Sequence, residues 1–306
     1  MSSEGLTADV GSQVAVTRER RGRWERSSGL LRLAIEDRLA LAGLIVLSVL
    51  IVLAVFGPLL WPQDPLAVKL SHTLQPPSFA HPMGTDGVGR DVFARFCAGA
   101  RTSLIVATMV VLVSGVAGGA IGLVAGLSRG LTGVVLMRAM DAILAFPPLV
   151  LAMAVTLGLG AGVTAATIGI AITTVPYFAR IIRSDVLRIR GLPLVEATVA
   201  LGASKSRLIG RHVLPATLPT VLVLGTAAYG DAILTLAGLG FIGLGVQPPA
   251  PEWGTMITQG LQYALSGQWW VGVFPGLGVL GAVVGISLIG DRMRDLIDPT
   301  GTALGS

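Results

Sequence analysis

The sequence predicts an all-α polytopic membrane protein with six transmembrane helices and both termini in the cytoplasm. Three observations carry this expectation. Of 306 residues, 53% are hydrophobic and only 13% are charged, about half the charge of an ordinary soluble domain. The charges are missing from long stretches of chain, and the basic ones gather between alternate stretches. A mean hydropathy of +0.78 fits neither a water-soluble enzyme nor a disordered chain. The 41 glycines follow no Gly-X-Y period, which excludes collagen.

The elements follow in order. Residues 1–38 are polar and carry Arg18, Arg20, Arg21, Arg23, Arg26, Arg32 and Arg38, a cytoplasmic N-terminal segment. Leu39–Leu60 then runs 22 residues without a charge, enough at about 1.5 Å per residue to cross a hydrocarbon core of about 30 Å. Phe56-Gly57-Pro58 stands where a secretory signal would have a small-residue cleavage site, so this reads as a retained helix. Further uncharged runs are Thr102–Ser128, Ala142–Ala179 and Trp253–Gly290, and between Arg211 and Glu252 the one charge is Asp231. The run from 142 to 179 is too long for one helix, and Gly158-Leu159-Gly160-Ala161-Gly162 divides it. Spans are therefore expected near 39–60, 103–127, 142–159, 163–181, 216–240 and 270–290.

Orientation follows from the basic residues. With six spans, the N-terminus, the 128–141 and 182–215 connections with Arg180, and the C-terminus share one side and hold 18 of the 22 Lys and Arg. The other side holds Lys69, Arg90, Arg95 and Arg101. The positive-inside rule places the basic side in the cytoplasm. The net charge of +5 belongs to that asymmetry rather than to nucleic-acid binding. Glycines four apart (Gly118, Gly122 and Gly126; Gly272 and Gly276; Gly281 and Gly285) are expected to let helices pack closely within one bundle.

Catalytic motifs are missing. Cys97 is alone and can form no intrachain disulfide. His72, His81 and His212 lie outside the apolar runs, and neither H-E-x-x-H, G-x-S-x-G nor the phosphate-binding G-x-x-x-x-G-K-[ST] occurs. If ATP is used, another chain must bind it. Asp231 is the exception within a span: an intramembrane carboxylate is costly, which makes it a candidate for the translocation path.

The informative stretch is the connection 183–215. It reads Glu196-Ala197-Thr198-Val199-Ala200-Leu201-Gly202, then nine residues, then His212-Val213-Leu214-Pro215. Residues Glu196 to Leu201 predict a short amphipathic helix that Gly202 ends, where the backbone needs positive φ or a close approach. A second helix is expected to run to Pro215. This stretch resembles the EAA loop of permease subunits of bacterial ABC importers. The resemblance implies that Glu196, Ala197, Thr198, Gly202, His212, Leu214 and Pro215 couple this chain to an ATPase.

The resemblance extends along the chain. His81-Pro82-Met83-Gly84-Thr85-Asp86-Gly87-Val88-Gly89-Arg90-Asp91-Val92, Gly99-Ala100-Arg101-Thr102-Ser103-Leu104, Phe241 to Gly245 with Pro248-Pro249 and Trp253-Gly254, and Gly290-Asp291-Arg292-Met293-Arg294-Asp295-Leu296-Ile297-Asp298-Pro299 occur in order. Together they are similar to the second, C-type permease of the dipeptide/oligopeptide/nickel transport group. One departure concerns the fifth span. Leu236 stands where many relatives have glutamate, and the acid appears at Asp231; five residues rotate a helix by about 500°, so it points elsewhere.

The family resemblance implies a type I ABC importer permease in a bacterial inner membrane. Its expected segments are a first helix at 39–60, an extracytoplasmic loop at 61–101, a five-helix core at 102–290 and a cytoplasmic tail at 291–306. Expected partners are membrane lipid, a homologous permease, two ABC ATPase subunits or domains, an extracytoplasmic binding protein and a peptide substrate. ATP and magnesium would sit on the ATPase subunits, and this chain would bind no cofactor. The outer segment Gly84–Arg101 is expected to lie on the membrane surface as an amphipathic piece. There Asp86, Arg90, Asp91, Arg95 and Arg101 would meet the binding protein or partner permease. The alternatives are nickel or another small solute as cargo, and a self-sufficient channel or secondary transporter.

Overall fold

A computed structural model describes residues 37–297, apart from 129, 194, 196, 197 and 199–201; the side chain of Lys205 is also outside the description. The described residues form helices and loops, with no strand among them. The helices are α1 (Arg38–Leu60), α2 (Val92–Leu127), α3 (Leu131–Leu144), α4 (Pro148–Leu159), α5 (Val163–Arg190), α6 (Leu214–Phe241), α7 (Trp253–Ala264) and α8 (Trp270–Ile297). Five of them, with α6 counted from Ser206, are long and apolar enough to cross a membrane; α3 and α4 make a sixth span if the bent pair counts as one.

That pair corrects the expected third span at 142–159. Residues 142–144 finish α3, and α4 has only 12 residues, inclined 91° to it. Pro147-Pro148 is the cause. Each proline disfavours the α conformation of the residue before it, so Phe146 and Pro147 cannot continue α3, while Pro148 opens the first turn of α4. The connection expected at 128–141 is therefore mostly α3, whose Met137 and Met140 pack with Ala125 and Ala179.

The centre of the bundle is the packing of α2 on α5. A Cβ on Gly118 would lie 2.5 Å from the Val175 carbonyl oxygen, one on Gly122 2.6 Å from that of Ala179, and one on Gly126 2.7 Å from the Val186 side chain. The row of glycines thus brings two backbones together, as expected for packing inside the bundle. At the Gly126 end of the seam Arg190 Nη1 donates to the Gly126 carbonyl at 2.7 Å. The second row behaves alike, with Gly285 against the Gly43 carbonyl of α1, whereas Gly276 faces open space.

The main core joins Leu50 of α1, Phe96 and Leu104 of α2, Ile170 of α5, Ile233 and Leu236 of α6 and Trp253 of α7. The fully buried Trp253 ring donates to the Phe96 carbonyl at 3.2 Å. Around this core the outward faces of the spans are apolar: α1 exposes Ile45, Val52, Val55 and Leu59. This is the expected finish for a surface that meets lipid, where backbone polar groups are satisfied within helices.

Candidate functional site

The long connection after α5 begins later than expected, because α5 continues about two and a half turns past 181 to Arg190. The chain is helical at Pro193, Val195 and Thr198. The Ala203 amide then donates to the Thr198 carbonyl at 3.2 Å, and Gly202 between them has φ +83°. This is the hydrogen bond of a helix closed by a left-handed residue, a position that favours glycine. Of the two reasons offered for Gly202, positive φ is the one observed; no atom of this chain lies within 4 Å of a Cβ built there. Glu196 and Ala197 lie outside the described residues.

Beyond Gly202 the chain takes a helical turn at Lys205–Leu208, a π-helical segment at Ile209–Val213, and enters α6 without a break. This corrects the expectation that the second helix ends at Pro215. Proline lacks the amide that would bond four residues back, but the wide turn preceding it removes that demand, so the helix runs through. Leu214 and Pro215 are exposed and His212 is half-buried. Val195, Leu208 and Val213 are buried with Phe178, Ile182, Val186 and Ile189 of α5, which fastens the connection to the bundle. Thr198 is half-buried, and Gly202, Ser206, Arg207, Gly210 and Arg211 are exposed.

The segment Gly84–Arg101, expected outside the membrane, differs in form from its expectation. It is not a surface-lying amphipathic piece: Gly84–Asp91 is a folded loop, and Val92 begins the 36-residue α2 directly. Asp91 caps that helix, accepting from the Ala94 amide at 2.7 Å, and its other oxygen accepts from His81 Nδ1 at 2.7 Å. Asp86 accepts from the Val88 and Arg90 amides at 3.0 and 2.9 Å and from Arg90 Nε at 2.6 Å. Arg95, 1% exposed, lies 3.6 Å from the same carboxylate and donates to the carbonyls of Pro65 and Pro249. Both arginines also reach Gln259 of α7 at 3.5 Å. Four of the five charges are thus turned inward and tie the loop to α2 and α7; Arg101 alone is exposed. Among the described residues, no group of three or more His, Cys, Asp or Glu is placed to hold a metal ion.

Glu252 carries a role that the sequence reading missed. It is 1% exposed and caps α7, accepting from the amides of Gly254 and Thr255 at 2.7 and 2.9 Å, and Ser103 of α2 donates to it at 3.3 Å. Burial raises its carboxyl above the usual carboxylate range, and the three hydrogen bonds oppose that shift. The signal was available: an acid followed by Trp-Gly-Thr is a helix-cap pattern. Asp231 is exposed on α6, and its side chain makes no hydrogen bond or ion pair among the described residues. Leu236, where the resemblance leads one to expect glutamate, is fully buried in the main core. The two positions therefore face different surroundings.

A bundle of membrane spans with a folded cap at one end and an anchored helical connection at the other defines a multi-span permease core. Residues 118–300 match the family of binding-protein-dependent transport system inner membrane components, and residues 32–77 match the N-terminal transmembrane domain of oligopeptide transport permease C. The chain belongs to this family, the inner-membrane permease subunits of ABC importers. It is 40% identical to a probable D,D-dipeptide transport system permease of Escherichia coli, over 85% of this chain and 87% of that one. It is also 40% identical to the dipeptide transport system permease of Alkalihalophilus pseudofirmus, over 86% of each. Among solved structures, the inward-facing MetNI methionine ABC transporter shares the fold with a TM-score of 0.54 at 21% identity, covering 66% of this chain and 96% of that one.

Proposed function

We propose that this chain is one of two homologous permeases of an ATP-driven peptide importer and forms half of the translocation path. In this reading the basic side faces the cytoplasm. Two ATPase subunits bind ATP and magnesium there, an extracytoplasmic binding protein delivers di- or oligopeptides at the outer cap, and this chain performs no covalent chemistry. Asp231 lines the path, because a carboxyl side chain on the outside of a membrane span requires water or a partner beside it.

The observation that carries the proposal is the inner knob. Gly202 takes a left-handed conformation in open space, while Val195, Leu208 and Val213 on either side of it pack against α5. Such an element fits a groove in a soluble partner and passes its displacement to the spans. The 40% identity to dipeptide permeases supports peptide as cargo.

The test is Gly202→Val in a reconstituted complex. A left-handed conformation costs an L-residue about 1–2 kcal/mol, and a branched side chain there reorients the knob. The bundle packs independently, so the subunit still accumulates, while ATPase retention or the coupling of hydrolysis to uptake is lost. Glu196→Lys acts in the same direction more weakly. Retention, hydrolysis and uptake all unchanged in Gly202→Val would overturn the coupling role.

A further inference from the structure

At the inner end of the bundle, α5, α6 and α8 enclose a crevice of about 330 Å³, lined by Ile181, Thr220, Thr226, Ser287, Asp291 and Arg294 among others. That volume is within the range of small-molecule sites. Gly290 of α8 lies against the Thr226 side chain of α6, leaving no room there for a Cβ unless that side chain shifts. The chemistry of the walls is unusual for a bundle otherwise finished in apolar residues. Asp291 and Arg294 are one turn apart on α8, yet they form no ion pair with each other or with any other described residue. Their neighbours behave differently: Arg292 lies 3.9 Å from Asp295 and 3.7 Å from Asp37. The hydroxyls of Thr220 and Ser287 also make no hydrogen bond among the described residues, and Thr226 donates to its own helix, leaving its oxygen free to accept.

A carboxylate, a separate guanidinium and free hydroxyls around one small crevice suit a zwitterion. Asp291 offers acceptors to an ammonium, and Arg294 offers a forked donor to a carboxylate. Along the helix axis their backbones are about 4.5 Å apart, and the flexible Arg294 stem adjusts the span toward the roughly 7 Å of a two-residue chain. The crevice is also aligned with Asp231. On the α6 wheel, Thr220, Leu224, Ala227 and Asp231 fall within about 40° of one line, with Asp231 about 16 Å farther out.

We propose that this crevice is an inner subsite for a small zwitterion, the last station of a short peptide before release, with Asp291 holding the ammonium and Arg294 the carboxylate. The inference rests on the peptide-importer reading. An ethanolamine lipid headgroup carries the same pair of charges and is the competing source.

The experiment uses the whole complex in vesicles of phosphatidylcholine and phosphatidylglycerol, with Thr220→Cys and, separately, Ser287→Cys in this subunit. Cys97, the chain's one native cysteine, is buried, so a cationic thiol reagent reports the crevice, read by the mass of this subunit. Dialanine at millimolar concentration should slow labelling in both variants, and its acetylated, amidated analogue should not. Adding Asp291→Asn or Arg294→Gln should weaken protection about tenfold, the loss of one charge-assisted hydrogen bond. Equal protection by the blocked analogue overturns the zwitterion site. Protection by added phosphatidylethanolamine in place of dialanine assigns the site to lipid and overturns the peptide role. No protection in vesicles that accumulate dialanine overturns the subsite while leaving the importer reading intact; no protection and no uptake overturns both.

Discussion

The cap at the Asp91 end of the bundle and the knob around Gly202 at the opposite end treat polar residues in opposite ways. In the cap, Asp86, Arg90, Asp91, Arg95 and Glu252 find partners within the chain, and Arg95 and Glu252 are almost fully buried. In the knob and the inner crevice, Arg207, Arg211, Asp291 and Arg294 are exposed, and Gly202 faces open space. A buried charge that loses its partner is costly, so a network like the cap's holds a shape. An exposed charge without a partner contributes little to folding and stays available to other molecules. Motifs rich in charge thus have two distinct meanings here, and burial separates them.

The largest expected effect lies in the cap. Arg95→Ala removes the donor shared by Asp86, Pro65, Pro249 and Gln259, and should cost about 3–5 kcal/mol. Thermal unfolding of the purified subunit in detergent measures it, and a wild-type midpoint would show that the cap is not a folding element. Glu252→Gln should cost about 1–2 kcal/mol, the scale of a lost helix cap. It should also flatten a pH dependence. Because burial raises the carboxyl in the fold, the native state holds its proton to higher pH than the unfolded chain does. Wild-type stability therefore falls as pH rises from the ordinary carboxylate range through that raised value; a slope that persists in Glu252→Gln assigns the dependence to another group. The smallest effect on folding belongs to the knob. Arg211→Gln should leave unfolding unchanged and still weaken retention of the ATPase subunits, and loss of stability instead would erase the contrast between the two regions.

The sequence makes the membrane spans legible because lipid tolerates few charges, so an uncharged run of sufficient length is a strong constraint. The α2–α5 contact is legible too, since glycines four apart have few other uses along a span. Gly202 was readable from its place at the end of a predicted helix. The third span was misjudged because Gly158–Gly162 drew the break to one place and Pro147-Pro148, equally visible, was passed over. Pro215 misled in the opposite sense, since a lone proline looks like a stop when a wide turn before it cannot be foreseen. The inward folding of Asp86 and Arg95 was beyond local pattern: Pro249 and Gln259 lie more than 150 residues away from Arg95, and only the folded chain brings them together.

The glycine seam between α2 and α5 has a mechanical consequence. Soft side chains absorb motion between most helices by changing rotamer, but here backbone bears directly on backbone at Gly118 and Gly122, and Gly126 presses on the Val186 side chain. The two helices, about 54 and 42 Å long, therefore form a single stiff strut. One end of it is seated under the knob by Ile182, Val186 and Ile189. The other is clamped into the cap by Asp91 and Arg95. A push delivered at one face of the membrane arrives at the other with little slack, and a bulkier residue at Gly118 or Gly122 would put play into that linkage while leaving both faces intact.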